Sequence, residues 1–154
     1  METQDKIGLR GFYRVHLVNE DGSIAGDSGW LENQVTNEGK RDYLARALGA
    51  ISGSKQVSHA ALGTGGEPGP TATTLAGEVE VRAAVSAATS GSTAVQFTAT
   101  FASAASFVTD TQNISNIGLF NSSSTGTLFA GNTYASSSCA TNQNVNATYT
   151  ITFS

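Results

Sequence analysis

Two segments in the second half of the chain alternate apolar and polar side chains with a period of two. In TAVQFTATF the apolar residues from Val95 to Phe101 share one face, and in NVNATYTITF those from Val145 to Phe153 do the same. Alternate side chains point to opposite faces of a strand, and threonine opposite aromatic residues is typical of half-buried strands. The pattern therefore predicts ordered β-strands where a Ser/Thr/Asn-rich composition alone would permit disorder.

Similar strand-like stretches recur along the chain at a spacing of roughly ten residues, separated by turn residues. NEDGS (Asn19–Ser23) is an expected hairpin turn, because Asp21-Gly22 tolerates positive φ. ASSSCATNQ (residues 135–143) is expected to be a loose connection. We predict a mainly β fold, a β-sandwich or jelly-roll-like domain with one short α-helix at about residues 37–48.

The predicted helix lies in VTNEGKRDYLARALGA, from Val35 to Ala50. Thr36 or Asn37 is placed to cap its start, and Gly49 is placed to end it. The apolar positions form one stripe, consisting of Tyr43, Leu44, Ala47 and Leu48. We expect this stripe to cover an open end or face of the sandwich.

Lys40, Arg41 and Arg46 lie on the same helix and are three of the chain's eight basic residues. The chain as a whole is acidic, with a formal net charge of −4. This balance argues against a nucleic-acid partner held by phosphate neutralisation. The basic side of the helix is either a solvated face or a surface that docks on an acidic neighbour in an assembly.

The length of 154 residues fits one domain. We expect residues 1–10 to be a loose N-terminal arm and residues 11–154 to be a single β-sandwich domain. Such an arm, with Leu9 and Arg10 at its end, could lie across a neighbouring subunit and become ordered on binding. METQDKIGLRG lacks the features of a signal peptide, and no apolar run approaches the roughly 20 residues that span a membrane. Synthesis in a cytoplasm and no membrane partner are expected.

Charge almost disappears from the second half of the chain. After Arg82 the only charged side chain is Asp110, and from Ala83 onward there is no Lys, Glu or Pro. Exposed strand edges normally carry these residues, which block pairing with other chains. We therefore expect neighbouring subunits to cover this half; shielding by Ser/Thr/Asn-rich loops is the alternative.

The residue types that catalysis or metal binding needs do not occur at recognisable spacings. His16 and His59 are the two histidines, and neither HxH, HxxxH nor CxxC is present. The chain has no GxSxG motif, and the glycine-rich Gly63–Gly66 is not followed by GK[ST]. Cys139 is alone, which excludes an intrachain disulfide framework. We expect no enzymatic activity, no cofactor and no metal site.

Three segments resemble a pattern that recurs in structural proteins of tailed bacteriophages. ALGTGGEPGPTATTLAGEVEVRAAV (Ala61–Val85) has a strand ending in A-L-G-T-G, a Pro/Thr loop and a T-x-L-x-x-E segment. ISNIGLFNSSSTGTLFAGNTY (Ile114–Tyr134) resembles the companion strand pair, and NQVTNEGKRDYLARAL (Asn33–Leu48) resembles the helix start that often precedes them. The three segments cover about half the chain in the expected order, and their motifs include no catalytic residue.

The resemblance implies a virion component made in the cytoplasm of a bacterial host. We expect a capsid decoration (cement) protein that assembles with itself, as a homotrimer, and bridges subunits of the major capsid protein. The alternatives are a tail, collar or fibre-associated adaptor, or a carbohydrate-binding module. The aromatic candidates for such a module are Trp30, Tyr13, Tyr134 and Tyr149. The candidate interface residues are Lys40, Arg41, Arg46, Leu9 and Arg10.

Overall fold

The alternating segments form neighbouring antiparallel strands in the computed structural model, which describes residues 7–154. Ten strands are present over that range: β1 (Leu9–Val18), β2 (Ile24–Asp27), β3 (Leu31–Glu32), β4 (Gln34–Val35), β5 (His59–Gly63), β6 (Ala83–Thr89), β7 (Ala94–Phe101), β8 (Gln112–Phe120), β9 (Leu128–Cys139) and β10 (Asn144–Phe153). A short 3-10 helix covers Ser103–Ala105. The prediction of a mainly β, sandwich-like fold with one short helical segment is confirmed.

The strands follow the order β2-β1-β10-β7-β6-β5-β8-β9-β4, and β3 also pairs with β1. The sheet folds over where β6 meets β5, since these two strands pair only through Ala84 with His59 and Ala83 with Ala60. The two halves face one another across a shared core. Tyr13 of β1 shows this, because its hydroxyl donates to the carbonyl of Thr133 in β9.

The core contains the side chains that the period-two pattern assigns to one face. In β7 these are Phe97, Ala99 and Phe101, whereas Thr98 and Thr100 are exposed. β10 buries Val145, Ala147, Tyr149 and Ile151 in the same way, and Phe153 is partly buried. The inward alternation of the two segments is therefore as predicted.

A short segment links the two halves along one side. Leu31 in β3 pairs with Tyr13 in β1, and three residues later Gln34 in β4 pairs with Gly131 in β9. Asn33 lies at the crossing, where its backbone N–H donates to the carbonyl of Gly11 at 2.9 Å. A Cβ added to Gly11 would lie 1.8 Å from the Asn33 side-chain oxygen, so a larger residue there would displace the Asn33 side chain.

The helical segment spans residues 37–48, and its start is capped by Thr36. The N–H of Gly39 donates to the Thr36 hydroxyl at 2.9 Å, and that hydroxyl donates to the carbonyl of Leu128 at 2.7 Å. Most of the segment is not the predicted α-helix. Gly39–Ala45 is wound as a π-helix, and α-helical winding is confined to residues 37–38 and Arg46–Leu48.

The π winding changes which side chains the helix buries. The N–H of Arg46 donates to the carbonyl of Arg41, five residues back, while the carbonyl of Asp42 accepts from the N–H of Lys55. A wider turn rotates later residues away from the face that a 3.6-residue period gives them. The predicted stripe is therefore wrong at its end: Tyr43 is buried, but Leu48 is 93% exposed.

Two predicted boundaries need correction. Leu9 and Arg10 are not part of an arm, because they pair with Phe153 and Thr152 and so belong to β1. Residues 1–6 of the predicted arm lie outside the described residues. The loose connection predicted for residues 135–143 is strand as far as Cys139, since β9 continues beside β8 and Cys139 pairs with Gln112.

A long loop between β5 and β6 covers the outer face of the second half of the sheet. Leu75 from this loop packs against Ala61, Phe120 and Leu128 in a small separate cluster. Gly118 lies beneath it, where an added Cβ would come within 2.7 Å of Leu128. Across residues 7–154, the helices are too short or too polar to span a lipid bilayer.

Candidate functional site

Asp42 is the buried centre of the basic helix, with only 3% of its surface exposed. Its carboxylate accepts a hydrogen bond from Arg41 Nε at 2.7 Å and lies 3.5 Å from Arg46 and 3.8 Å from Lys55. The hydrogen bond from Arg41 is the main cause that lowers the pKa of this carboxyl, and the charges of all three cations act in the same direction. The predicted basic face is thus largely a cluster built around one carboxylate.

Lys40 differs from its two basic neighbours. Its side chain is exposed and forms no ion pair within residues 7–154. It lies at the rim of an apolar groove between the helix and the adjoining ends of β1 and β10. We call this the helix-side groove. Its lining includes Ile7, Leu9, Leu44, Leu48 and Phe153.

The helix-side groove is a conspicuous apolar opening of the molecule. Its volume is about 840 Å³, and Ile7 and Leu48 on its rim are 77% and 93% exposed. A second hollow of about 300 Å³, lined by Val57, Val95 and Phe97, continues from it beneath Tyr43 and Leu44. Contiguous exposed apolar surface of this kind marks interaction sites on soluble proteins.

The five predicted interface residues do not form one site. Leu9 and Lys40 come together at the helix-side groove, as a shared surface requires. Arg41 and Arg46 turn toward Asp42 instead. Arg10 pairs with Glu32, and its guanidinium lies 5.2 Å from the ring centre of Phe12.

Sequence reasoning missed Asp42 and the groove. The signal for Asp42 was the i, i+4 spacing to Arg46, which places the two side chains on one helix face. The groove had no comparable signal. It depends on the π winding, which leaves Leu48 on the rim rather than in the core.

Neither histidine belongs to a recognisable catalytic arrangement. Nε2 of His16 lies 3.3 Å from a carboxylate oxygen of Asp27, which also accepts hydrogen bonds from Arg14. Nδ1 of His59 lies 2.8 Å from the Ser58 hydroxyl, and burial, together with the charge of Arg82, lowers the pKa of His59. Among residues 7–154, no three His, Cys, Asp or Glu side chains are grouped to hold a metal ion.

The aromatic residues also lack the arrangement of a sugar-binding platform. Tyr13, Tyr134 and Tyr149 are core residues, and Tyr13 contacts both of the others, with ring centres at 6.4 and 5.6 Å. Trp30 is about half exposed. A stacking surface for a carbohydrate would need several of these rings to face solvent together.

The segments Asn33–Leu48, Ala61–Val85 and Ile114–Tyr134 pack against each other. Thr36, at the helix start, hydrogen-bonds the carbonyl of Leu128 at the start of β9. Tyr43 of the helix donates to the carbonyl of Thr127 and lies 3.2 Å from the side-chain oxygen of Asn121. That oxygen also accepts from the N–H of Thr127 at 2.8 Å.

Arg82, near the end of Ala61–Val85, adds a further link between these segments. It donates to Glu78 at 2.5 and 3.1 Å and to the carbonyls of Ser122 and Thr125 at 2.9 and 2.7 Å. Its guanidinium also lies 3.7 Å from the ring centre of Phe120. The motif residues therefore hold strands and loops together, which is a structural role.

Comparisons with protein-family models, with curated proteins and with solved structures each find no match to this chain.

Proposed function

We propose that this chain is a non-enzymatic structural protein of a tailed-phage virion. In this proposal it is a capsid decoration (cement) protein that assembles as a homotrimer and stabilises the head by bridging subunits of the major capsid protein. The observation that carries the proposal is an uncharged, exposed strand edge on β6.

β6 pairs with β7 from Val85 to Thr89, but with β5 only at Ala83 and Ala84. On the β5 side, Ser86–Thr89 therefore have no neighbouring strand among the described residues. All four of these residues are exposed, and none carries a charge. An edge of this kind is a template for adding a strand from another chain, and proteins that remain monomeric usually block it with Lys, Glu or Pro.

An unblocked edge suits a protein whose neighbours are always present, as in a virion. A standard interface buries about 800 Å² on each partner, and repetition around a symmetry axis adds avidity without any new contact. The resemblance of three mutually packed segments to phage structural proteins supports the same assignment. Their shared role in holding strands and loops together fits a protein that binds without catalysing a reaction.

The edge is tested by placing a charge on it. Ala88→Lys puts a lysine on the exposed edge of β6, and Thr98→Lys adds the same charge on an exposed position of β7 between two paired strands. We expect size-exclusion chromatography with light scattering to give a trimer for the wild type and for Thr98→Lys, and loss of that trimer for Ala88→Lys. A monodisperse wild-type monomer that does not bind mature capsids would overturn the proposal.

The location on the particle is tested separately by electron microscopy of intact virions. Density for this protein at the junctions between capsid subunits is the expected result. Recovery with tails after heads and tails are dissociated would contradict the decoration role and favour a tail, collar or fibre-associated adaptor.

A further inference from the structure

Unbalanced positive charge is concentrated near the helix. There, Arg41, Arg46 and Lys55 share the carboxylates of Glu38 and Asp42, and Lys40 forms no ion pair within residues 7–154. The chain's other three arginines are each paired with a carboxylate elsewhere. The helix-side groove itself has an apolar floor, and Lys40 is the one charged residue that lines it in the described part of the chain.

Unbalanced negative charge lies at the other end of β1. Glu20 and Asp21 are exposed on the turn between β1 and β2, and neither forms an ion pair within residues 7–154. Asp21 accepts hydrogen bonds from the N–H and hydroxyl of Ser23, which fix its carboxylate in place. Asp110 is also exposed, and it lies at the same end of the molecule. Gln112, two residues later, begins β8 opposite Cys139. In the turn after Cys139, the side-chain amide of Gln143 donates to the side-chain oxygen of Asn19.

A large apolar side chain stands beside this acidic turn. Ile24 is 59% exposed and pairs with Val18 at the end of β1. We call residues 19–24 the acidic tip. β1 has ten residues, and at about 3.3 Å per residue the acidic tip and the helix-side groove are roughly 30 Å apart. The same copy cannot bring them together.

We propose that copies of this chain associate end to end, with the acidic tip of one copy seated in the helix-side groove of the next. Ile24 enters the apolar part of the groove, and Glu20 and Asp21 approach Lys40 on its rim. The occupant of the groove is thus a second copy of the chain, selected by opposite charge and by an exposed apolar side chain that the groove can cover.

Two other occupants fit less well. The residues before Ile7 read METQDK, in which Met1 is the only apolar side chain, so they offer little to an apolar groove. A two-fold dimer through Leu48 would place the basic helix of one copy against that of its partner. Like charges brought together in this way disfavour association.

An end-to-end contact joins two different surfaces, and such contacts continue from copy to copy unless a ring closes. Two surfaces at opposite ends of one strand favour a row of copies over a closed pair. This contact is distinct from the β6 edge, and it does not depend on the virion assignment.

The test uses two variants that each disable one surface. Glu20→Lys with Ile24→Ser alters the acidic tip, and Lys40→Glu with Leu48→Ser alters the groove; all four side chains are exposed, so folding should survive. Sedimentation velocity at low salt is expected to show wild-type mass rising with concentration, and an apparent dissociation constant at least ~10-fold weaker for either variant. In the Ala88→Lys background, where the β6 contact is absent, mixing the two variants restores one intact tip with one intact groove, so a one-to-one pair is expected and nothing longer.

Glu67→Lys is the matched control, since it reverses an exposed carboxylate outside both surfaces and should leave association unchanged. Repeating the measurements with Ala88→Lys added to every chain separates the end-to-end contact from the β6 edge. End-to-end association should persist when the β6 edge is blocked in this way. A wild type of constant mass at all concentrations, or a mixture no larger than its components, would overturn the proposal. Equal weakening by Glu67→Lys would also overturn it, since the effect would then be one of net charge alone.

Discussion

At the scale of single residues, Asp42 shows that a charged residue within a basic stretch of helix can be buried. The basic residues around it indicate a solvated face or a docking surface on the helix. In the structure its carboxylate is buried, and Arg41, Arg46 and Lys55 surround it. A buried charge is tolerated when it is paired and hydrogen-bonded, so the three cations are what allow Asp42 to lie inside.

Replacing Asp42 with Asn keeps the shape and removes the charge. Because a buried polar group then loses its charged partners, we expect the free energy of unfolding to fall by about 1–3 kcal/mol. Urea denaturation measures this change. Glu32→Gln is the control, since Glu32 and its partner Arg10 are both more than half exposed, and such pairs contribute little.

The same variant has a defined pH dependence. The pKa of Asp42 is lowered on folding, so its contribution is complete above the unfolded pKa of about 3.9 and is lost as pH falls through the lower folded value. The stability difference between wild type and Asp42→Asn should therefore be constant near neutral pH and shrink below about pH 4. A difference that instead grows on acidification, or an effect no larger than that of Glu32→Gln, contradicts this role.

At the scale of elements, the sequence predicted the strands better than their surroundings. Alternation in β7 and β10 is a local property, and each strand buries the predicted face. The winding of the helix is not local, because it depends on the bond between the Lys55 N–H and the Asp42 carbonyl. The extent of β9 also depends on a contact distant in sequence. Ala-Ser-Ser-Ser has no strong strand preference, and its pairing with β8 makes it a strand.

The candidate site was predictable only in part, for a related reason. Lys40 and Leu9 both line the groove, but sequence spacing cannot show that a helix and a strand end meet there. The acidic tip was recognisable as a turn. Its relation to the groove required the register of β1 and β10, which places the two at opposite ends of the sheet.

Arg82 illustrates the stability that one side chain gives to several elements. Its side chain is only 6% exposed, and it joins Glu78 to two carbonyls of the loop between β8 and β9. Lysine cannot reproduce this planar set of donors. For Arg82→Lys we expect a loss of about 2–3 kcal/mol in the free energy of unfolding.

Hydrogen exchange adds a local measurement to that prediction. Amides of residues 121–127 should exchange faster in Arg82→Lys, since the loop loses its two anchored carbonyls. Arg10→Lys changes the same residue type in an exposed pair, and it should alter stability by less than about 0.5 kcal/mol. Equal effects from the two substitutions would show that Arg82 acts only as a surface charge.

At the scale of the whole molecule, the single shared core makes the two ends of the sandwich interdependent. β9 is twelve residues long and runs from Leu128, which bonds Thr36 at the helix start, to Cys139 at the other end. Cys139 is completely buried, and burial raises the pKa of its thiol. Both effects protect it from thiol reagents, which react with the exposed thiolate.

Labelling of Cys139 therefore tests whether the β-sandwich, from Leu9 in β1 to Phe153 in β10, unfolds as one domain. If the thiol is exposed only by global unfolding, Asp42→Asn should accelerate labelling even though Asp42 lies near the opposite end of β9. The expected acceleration follows from the measured loss of stability, at tenfold for each 1.4 kcal/mol, when opening and closing are fast relative to labelling. A labelling rate that does not change with Asp42→Asn would mean that the Cys139 end opens independently, and the single-domain prediction would then be wrong.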